Sequence, residues 1–301
     1  MRIAISSIWY PVTISRYFES ALRHRDDIEV VSVGPYTGSW IPWAGGLSLP
    51  EKYAIPPDFP MARHLSNIRS TSSNFLKENK MFQDIDVWIQ ADSNFFFNER
   101  PPCRTNVHIA IDPHVLDYSV QHTTADYFFN MQKFYSQPGD IYLPYCASKY
   151  HHFPEEVEKE YDVCLVGLQY PNRNEFVAAL RREGISVHYE LGLGMDEYRM
   201  AYSKSRVAIS WSSMKDLIAR VFEAGAFNLP LVTNRVPDLS EHFVEEEHYL
   251  GFNTVEEAVF QVKKILANLA HYESMTKAFH DEVVSKHMYD NRIDQILEAI
   301  I

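Results

Sequence analysis

Short apolar runs alternate with amphipathic stretches along most of the chain. The first group consists of an apolar run at residues 2–7, an amphipathic segment at 15–23 and a second apolar run at 28–33. Strand, helix and strand in close succession are typical of a parallel βαβ unit. The pattern predicts four further strands in this half of the chain, at residues 87–90, 106–111, 127–130 and 140–144.

The α/β rhythm restarts in the second half, after a stretch without apolar periodicity. Residues 145–161 contain His151 and His152 followed by acidic residues, and we expect them to form a linker with both histidines in solvent. The pattern then predicts strands at 161–167, 185–189, 206–210 and 230–233 and helices at 173–183, 216–226, 254–269 and 289–301.

Two successive open α/β sheets predict two Rossmann-like domains. We expect domains at residues 1–150 and 151–280, with a C-terminal helix in 281–301 that packs back on the first domain. Ligands of such sheets bind beyond the carboxyl ends of the parallel strands. The domains are therefore expected to face each other across a cleft.

Composition supports a folded protein of this size and limits its partners. The 301 residues are 46 % hydrophobic and 23 % charged, as in ordinary globular proteins. No segment approaches the roughly 18 apolar residues of a membrane span, and the N-terminal run is too short for a signal peptide, so we expect a cytoplasmic protein. The net charge of −12 argues against generic nucleic-acid or membrane binding. The pattern does not indicate an oligomeric state.

Two motifs in the second half carry the most specific signal. Residues 220–224 read Arg-Val-Phe-Glu-Ala and precede an apolar strand that ends at Thr233, while Gly167, Tyr170 and Arg173 have a Gly-x-x-Tyr-x-x-Arg spacing. Together they resemble the C-terminal domain of GT-B glycosyltransferases, particularly the CgeB-like, glycosyltransferase family 1-4-like group. The resemblance implies a GT-B fold and transfer of a sugar from a nucleotide-sugar substrate, with no separate cofactor.

The resemblance also implies a donor site. Glu223 would accept hydrogen bonds from the ribose hydroxyls, for which a carboxylate offers two oxygens. Arg220 lies three residues earlier, on the same helical face. Helix N–H groups suit a diphosphate, and cationic side chains compensate its charge as it leaves. The remaining expected donor residues are Gly167, Arg173, Ser212, Ser213 and Lys215.

One departure from the family pattern concerns stereochemistry. Many related enzymes carry Glu-x7-Glu, but the residue eight positions before Glu223 is Lys215. A retaining or an inverting outcome is therefore open, as are the sugar and the base of the nucleotide.

The first half offers candidate catalytic residues after a predicted strand. Asp112 and His114 resemble the Asp-x-His segment of CgeB-like proteins. An inverting transferase needs a general base within hydrogen-bond reach of the acceptor hydroxyl, and either residue could serve. Asp84 and Asp86 form an Asp-x-Asp pair, but they precede a strand, so we expect a solvated turn and a metal-independent enzyme.

The acceptor is expected on the same half. A long segment at residues 34–60 is rich in Pro, Gly and aromatic residues, and basic residues follow it. Aromatic rings can stack on sugars or on bases, so the acceptor is a saccharide, a small molecule or hydroxylated DNA such as a hydroxymethyl-pyrimidine. The acceptor-side candidates are Trp9, Trp40, Trp43, Arg63 and Arg69.

Two other function classes remain compatible with the sequence. One is a non-catalytic GT-B relative that binds a nucleotide sugar or a glycan, which the Lys215 departure would favour. The other is a nucleotide-sugar epimerase, which would use a similar α/β cleft.

Overall fold

A computed structural model of the chain describes residues 1–9, 13–34, 70–71, 80–91, 96–97 and 99–300. The chain divides into two compact units. Unit 1 consists of residues 1–144 and 290–301, and unit 2 consists of residues 145–289. Within the described part of the chain, no helix is long and apolar enough to cross a membrane.

Unit 1 is built on a six-stranded sheet whose strand pairs are all parallel, in the order β2-β1-β4-β6-β7-β8. Its central strands β4 and β6 are mostly apolar and are buried on both faces, as expected for a parallel sheet covered by helices. The strands of the sheet are β1 Arg2–Ser6, β2 Glu29–Val33, β4 Val87–Ala91, β6 Thr105–Ala110, β7 Tyr127–Asn130 and β8 Ile141–Tyr142. The described part of unit 1 also contains helices α1 Ile14–Arg23 and α2 Ser119–Thr124, two short 3-10 helices at Lys80–Phe82 and Lys133–Tyr135, and the separate strand pair β3 Ser70–Thr71 and β5 Phe96–Phe97.

Unit 2 contains a second parallel sheet, of five strands in the order β10-β9-β11-β12-β13. Its core forms where Val163, Leu165, Val207 and Ile209 meet the buried faces of the flanking helices. The strands are β9 Tyr161–Val166, β10 Val187–Glu190, β11 Ser205–Ser210, β12 Leu231–Asn234 and β13 Leu250–Phe252. The helices are α3 Pro171–Arg182, α4 Met195–Ser203, α5 Ala219–Ala226, α6 Val255–Ala267 and α7 Glu273–Lys286.

The last helix, α8 Tyr289–Ile300, returns to unit 1. The Nε of Arg292 donates to the carbonyl of Pro144 at 2.7 Å, and the side-chain amide of Gln295 donates to the carbonyl of Tyr142 at 2.9 Å. Asp294 forms an ion pair with Arg25. These contacts fasten the end of the chain beside the edge strand β8.

Both sheets reverse their strand order beside their first strand. The order reverses between β1 and β4 in unit 1 and between β9 and β11 in unit 2. At such a point the connections that leave the two neighbouring strands run to opposite faces of the sheet, which opens a crevice at the carboxyl ends of those strands. The loops after β9 and β11 therefore define the first place to look for a ligand site in unit 2.

The structure corrects three expectations drawn from the pattern. Residues 145–152 pack within unit 2, where Ala147 forms a β-bridge with Met288, and His152 is only 3 % exposed, so the expectation of a solvated His152 is wrong. The helix expected at 216–226 begins at Ala219, because Lys215 has a positive φ of 61° and Ile218 is extended. In addition, helices α2, α4 and α7 and strands β3, β5 and β13 were not expected.

Candidate functional site

Gly167 lies directly after β9, at the strand-order reversal of unit 2. Its N–H donates to the carbonyl of Glu190 at 3.0 Å, and its φ is +144°. A Cβ at this position would collide with the guanidinium of Arg220. Position 167 therefore needs glycine for its backbone conformation and for the close passage of that side chain.

Arg173, on the first turn of α3, ties the two strand-end loops together. Its Nε and Nη2 donate to the carbonyl of Trp211 at 2.9 and 2.6 Å, and its Nη1 donates to the carbonyl of Leu168 at 2.8 Å. Burial, with the nearby charge of Arg220, lowers the pKa of Arg173 to about 10, and the group remains a cation at neutral pH. Arg173 thus fixes the loops and contributes positive charge.

Arg220, in the first turn of α5, is held differently. Its Nε donates to the carbonyl of Val166 at 2.9 Å. Its Nη1 has almost no contact with solvent and makes no hydrogen bond within the described part of the chain. A buried guanidinium N–H without an acceptor is unfavourable, so this atom is suited to an incoming anion.

The loop after β11 is shaped by Ser212. Its N–H donates to the Oδ1 of Asn234 at 2.8 Å, and the Nδ2 of Asn234 donates back to the carbonyl of Ser212 at 3.0 Å. The hydroxyl of Ser212 also bonds the carboxylate of Asp216. Ser213 and Lys215 are exposed on the same loop. Ser212 therefore maintains the loop conformation, while its neighbours face solvent.

Glu223 is one turn after Arg220, with a side chain 12 % exposed. Its Oε2 accepts a hydrogen bond from the hydroxyl of Tyr198 on α4. Its Oε1 lies 3.7 Å from the Nε2 of His152. Burial raises the pKa of Glu223, and Tyr198 and Arg220 oppose that shift. Arg220 and Glu223 thus bond different partners, although they share a helical face.

The tautomer of His152 follows from its backbone partner. The N–H of Ser148 donates to the Nδ1 of His152 at 3.0 Å, so Nδ1 is the acceptor and the proton of the neutral ring is on Nε2. Burial lowers the pKa of His152 to about 3, which keeps the ring neutral. The Nε2–H therefore faces the carboxylate of Glu223.

The sequence pattern predicted neither His152 nor Tyr198 as a partner of Glu223. His152 comes from a segment without periodicity, and only the tertiary fold brings it to α5. Tyr198 had one usable signal, because Tyr198 and Tyr202 are four residues apart and therefore share a face of α4.

In unit 1, Asp112 and His114 lie in the turn that follows β6. The carbonyl of Asp112 accepts from the N–H groups of Val115 and Leu116 at 3.0 and 3.1 Å. The ring of His114 packs against Tyr135 with a centroid distance of 5.1 Å. Both candidate residues are partly exposed, at the carboxyl edge of the sheet.

The acceptor-side candidates are described only in part. Trp9 is fully buried and donates its Nε1–H to the carbonyl of Val33 at 2.7 Å, so it presents no ring face at the surface. Trp40, Trp43, Arg63 and Arg69 lie outside the described residues.

The Asp-x-Asp pair has structural roles. Asp84 lies in a turn with a φ of 59°, and the carboxylate of Asp86 accepts from the N–H of Arg2 at 2.8 Å. Among the residues that the structure describes, no group of three or more His, Cys, Asp or Glu side chains is arranged to hold a metal ion.

Comparison with known proteins defines the class. Residues 151–298 match a family model described as "Glycosyl transferase-like", which covers nearly all of unit 2 together with most of α8. No curated protein matches the chain by sequence. The match and the fold together indicate a transferase of glycosyl groups.

Solved structures extend the likeness to the whole chain. A sucrose-phosphate synthase from Thermosynechococcus elongatus is 12 % identical, with a TM-score of 0.63 and coverage of 100 % of this chain and 98 % of that one. An alpha-glucosyltransferase in complex with UDP and a 13-mer DNA containing a central A:G mismatch is 11 % identical, with a TM-score of 0.62 and coverage of 100 % and 99 %. Anabaena HepE in complex with UDP is 9 % identical, with a TM-score of 0.59 and the same coverage.

Unit 2 therefore carries a glycosyl transferase-like domain, the chain is a transferase, and the predicted GT-B fold class is confirmed. Membership of the CgeB-like group stays a prediction.

Proposed function

We propose that unit 2 holds the nucleoside diphosphate of a nucleotide-sugar donor at the carboxyl ends of β9 and β11, and that the sugar is transferred to a hydroxyl acceptor without a metal ion. The observation that carries this proposal is Arg220. Its buried Nη1 has no hydrogen-bond acceptor in the described part of the chain, and the Nη2 of the same guanidinium lies beside Gly167, at the strand-order reversal of the sheet.

The neighbouring groups suit a diphosphate. Arg173 is buried and cationic, and Ser213 and Lys215 are exposed on the adjoining loop. A charge-assisted hydrogen bond to a phosphate oxygen is about twice as strong as a neutral one, and a guanidinium can make two in parallel. Glu223, one turn further along α5, is the proposed acceptor for the ribose hydroxyls.

In the proposed reaction, the acceptor oxygen forms a bond to the anomeric carbon of the sugar while the bond from that carbon to the diphosphate oxygen breaks. The electron pair of the broken bond leaves with the diphosphate, whose added charge the two arginines stabilise. The acceptor hydroxyl must lose its proton, and Asp112 or His114 is the proposed base.

Metal independence follows from the same charges. Two guanidinium groups beside the diphosphate perform the neutralisation for which other transferases use a divalent cation. The test is transfer in the presence of EDTA. We expect undiminished turnover, and restoration of a chelator-inactivated enzyme by Mn²⁺ or Mg²⁺ would contradict the proposal.

For the acceptor we propose a saccharide or another small hydroxyl compound first, because the chain has a net charge of −12 and would repel a polyanion. Hydroxymethylated DNA is the alternative, and it is supported by the solved alpha-glucosyltransferase, which was captured with DNA. Transfer of label to oligosaccharides and to hydroxymethyl-pyrimidine DNA, measured side by side, separates the two.

The donor proposal is tested by thermal unfolding with a panel of nucleoside diphosphates and nucleotide sugars. A ligand that binds only the native state raises the melting temperature by mass action. We expect UDP or another nucleoside diphosphate to stabilise the protein more than its nucleoside does. Equal rises in melting temperature with the nucleoside and with its diphosphate would show that the site does not bind the diphosphate group.

A further inference from the structure

Three separate segments of unit 2 converge on the carboxylate of Glu223. Helix α5 carries Glu223 itself, helix α4 carries Tyr198, and the segment before β9 carries His152. The Tyr198 hydroxyl donates to Oε2, and the His152 Nε2 lies 3.7 Å from Oε1. Each carboxylate oxygen therefore faces a different neutral group.

We propose that Tyr198 and His152 are positioning residues that fix the Glu223 carboxylate for recognition of the ribose hydroxyls. This inference rests on the proposed donor site. The hydrogen bond from Tyr198 takes one of the lone-pair directions of Oε2, and the His152 ring packs 3.7 Å from Oε1, so lone pairs of both oxygens remain for a diol. The network thereby fixes the orientation of the two carboxylate oxygens toward the two ribose hydroxyls that they would accept from.

Fixing the carboxylate in advance has an energetic consequence. A free Glu side chain loses rotamer entropy when it is ordered. Here the fold orders the side chain before the nucleotide arrives, so binding does not carry that cost.

Both partners of the Glu223 carboxylate, Tyr198 and His152, are neutral. A cationic partner would form an ion pair with Glu223 and compete with the ribose hydroxyls. His152 is only 2 % exposed at its side chain, and its Nδ1 is occupied by the N–H of Ser148, so the ring directs an uncharged N–H at the carboxylate. The carboxylate can then accept hydrogen bonds from a ligand with its full charge.

The same helix supplies a matched control. Tyr202 is fully buried beside Tyr198, with a ring-centroid distance of 4.8 Å, and stacks on Phe227 at 4.9 Å. Its hydroxyl makes no hydrogen bond to Glu223. Tyr202→Phe therefore removes a hydroxyl from the same aromatic cluster and leaves the bond between Tyr198 and Glu223 in place.

The experiment compares the dissociation constants of UDP and 2′-deoxy-UDP by calorimetry, or those of the matching pair if the panel selects another base. We expect the wild-type protein and Tyr202→Phe to prefer the ribonucleotide by roughly tenfold or more, the value of a hydrogen bond to a charged group. In Tyr198→Phe the preference should fall to about threefold or less.

His152→Asn supplies the second test. Asn can accept from Ser148 as Nδ1 does, but it does not reach Glu223, so the ribose preference should fall again. Wild-type preference retained in both variants would overturn the positioning role. If the wild-type protein binds UDP and 2′-deoxy-UDP equally, Glu223 does not bind the ribose hydroxyls. That result would contradict the proposed donor site itself. A variant that no longer binds the deoxynucleotide either would show a structural defect and would also contradict the inference.

Discussion

The two sheets reverse their strand order at equivalent points, but the residues there differ in kind. In unit 1 the hydroxyl groups of two serines form hydrogen bonds at the loop after β1. Ser7 donates to the hydroxyl of Ser15 at 2.8 Å, Ser15 bonds the carbonyl of Ala91, and both serines are fully buried. In unit 2 the helices that follow the equivalent loops carry Arg173 and Arg220 in their first turns.

Topology provides the crevice, and the residues of the strand-end loops and of the helix starts provide its chemistry. Two serines that bond each other and a backbone carbonyl leave little capacity for an anion, whereas buried guanidinium groups require one or a substitute. This difference supports the proposal that the nucleoside diphosphate binds to unit 2 and that unit 1 supplies the base for the acceptor.

The largest effect is expected from the candidate base of unit 1. Asp112→Asn and His114→Gln each remove one candidate base. The variant that lacks the base used by the enzyme should transfer roughly 10²–10⁴-fold more slowly, which is the usual contribution of a positioned base. Donor affinity should not change, because the donor residues are in unit 2. The rate of transfer and the UDP affinity of each variant are measured together.

Asp117→Asn is the control for that experiment. Asp117 is exposed on the same loop and accepts from the N–H of Ser119 at 2.9 Å, which an Asn side chain can also do. We expect full activity from it. Full activity from both candidate variants as well would show that neither residue is the base.

The next effect concerns the cation of unit 2. Arg220→Met should weaken UDP binding by roughly 30–150-fold, since a hydrogen bond to a charged group contributes about 2–3 kcal/mol. Binding of uridine should change much less. Arg206→Met is the control, because Arg206 lies near the amino end of β11, away from the proposed site at the carboxyl end, and pairs with Asp162. Equal losses for the two variants would indicate a general charge effect.

A buried neutral histidine in each unit gives a pH prediction. Burial lowers the pKa of His108 and of His152 from 6.5 to about 3. Between these values the unfolded chain binds a proton that the native state excludes, so stability is complete above pH 6.5 and falls as the pH drops. The slope is at most about 1.4 kcal/mol per pH unit for each histidine.

Urea unfolding at pH 7 and pH 5 measures this loss. His108 packs between Phe128 and Tyr118 with centroid distances of 5.1 Å, so His108→Phe should reduce the loss by up to about 2 kcal/mol without altering UDP affinity. His152→Asn should reduce the loss and also weaken UDP binding. An unchanged pH dependence in both variants would contradict the neutral state of these rings.

The smallest effect is expected from a single methyl group. Gly167→Ala places a Cβ against the Arg220 guanidinium and should weaken UDP binding by roughly tenfold, through displacement of that group. Gly184→Ala is the control, since Gly184 also has a positive φ, of +78°, but has open space around its Cα. Both variants should lose stability, and only the first should lose affinity.

The strand pattern was largely predictable because buried parallel strands are short apolar runs bounded by polar loops, as in β4 and β9. The start of α5 was not, because Lys215 adopts a positive φ that its residue type does not favour. In the donor site, the spacing of Arg220 and Glu223 was visible in the sequence. The partners of Glu223 were not, since periodicity reports which face a residue shares and not which distant segment covers it.

The proposed donor site places the nucleoside diphosphate at the strand-order reversal of unit 2. The most direct test is amide hydrogen exchange with and without saturating UDP, or the diphosphate selected by the panel. We expect slower exchange in residues 166–173 and 211–223, which form the loops after β9 and β11 and the start of α3 and α5. Protection confined to the strand-end loops of unit 1, with no change in those two segments, would contradict it.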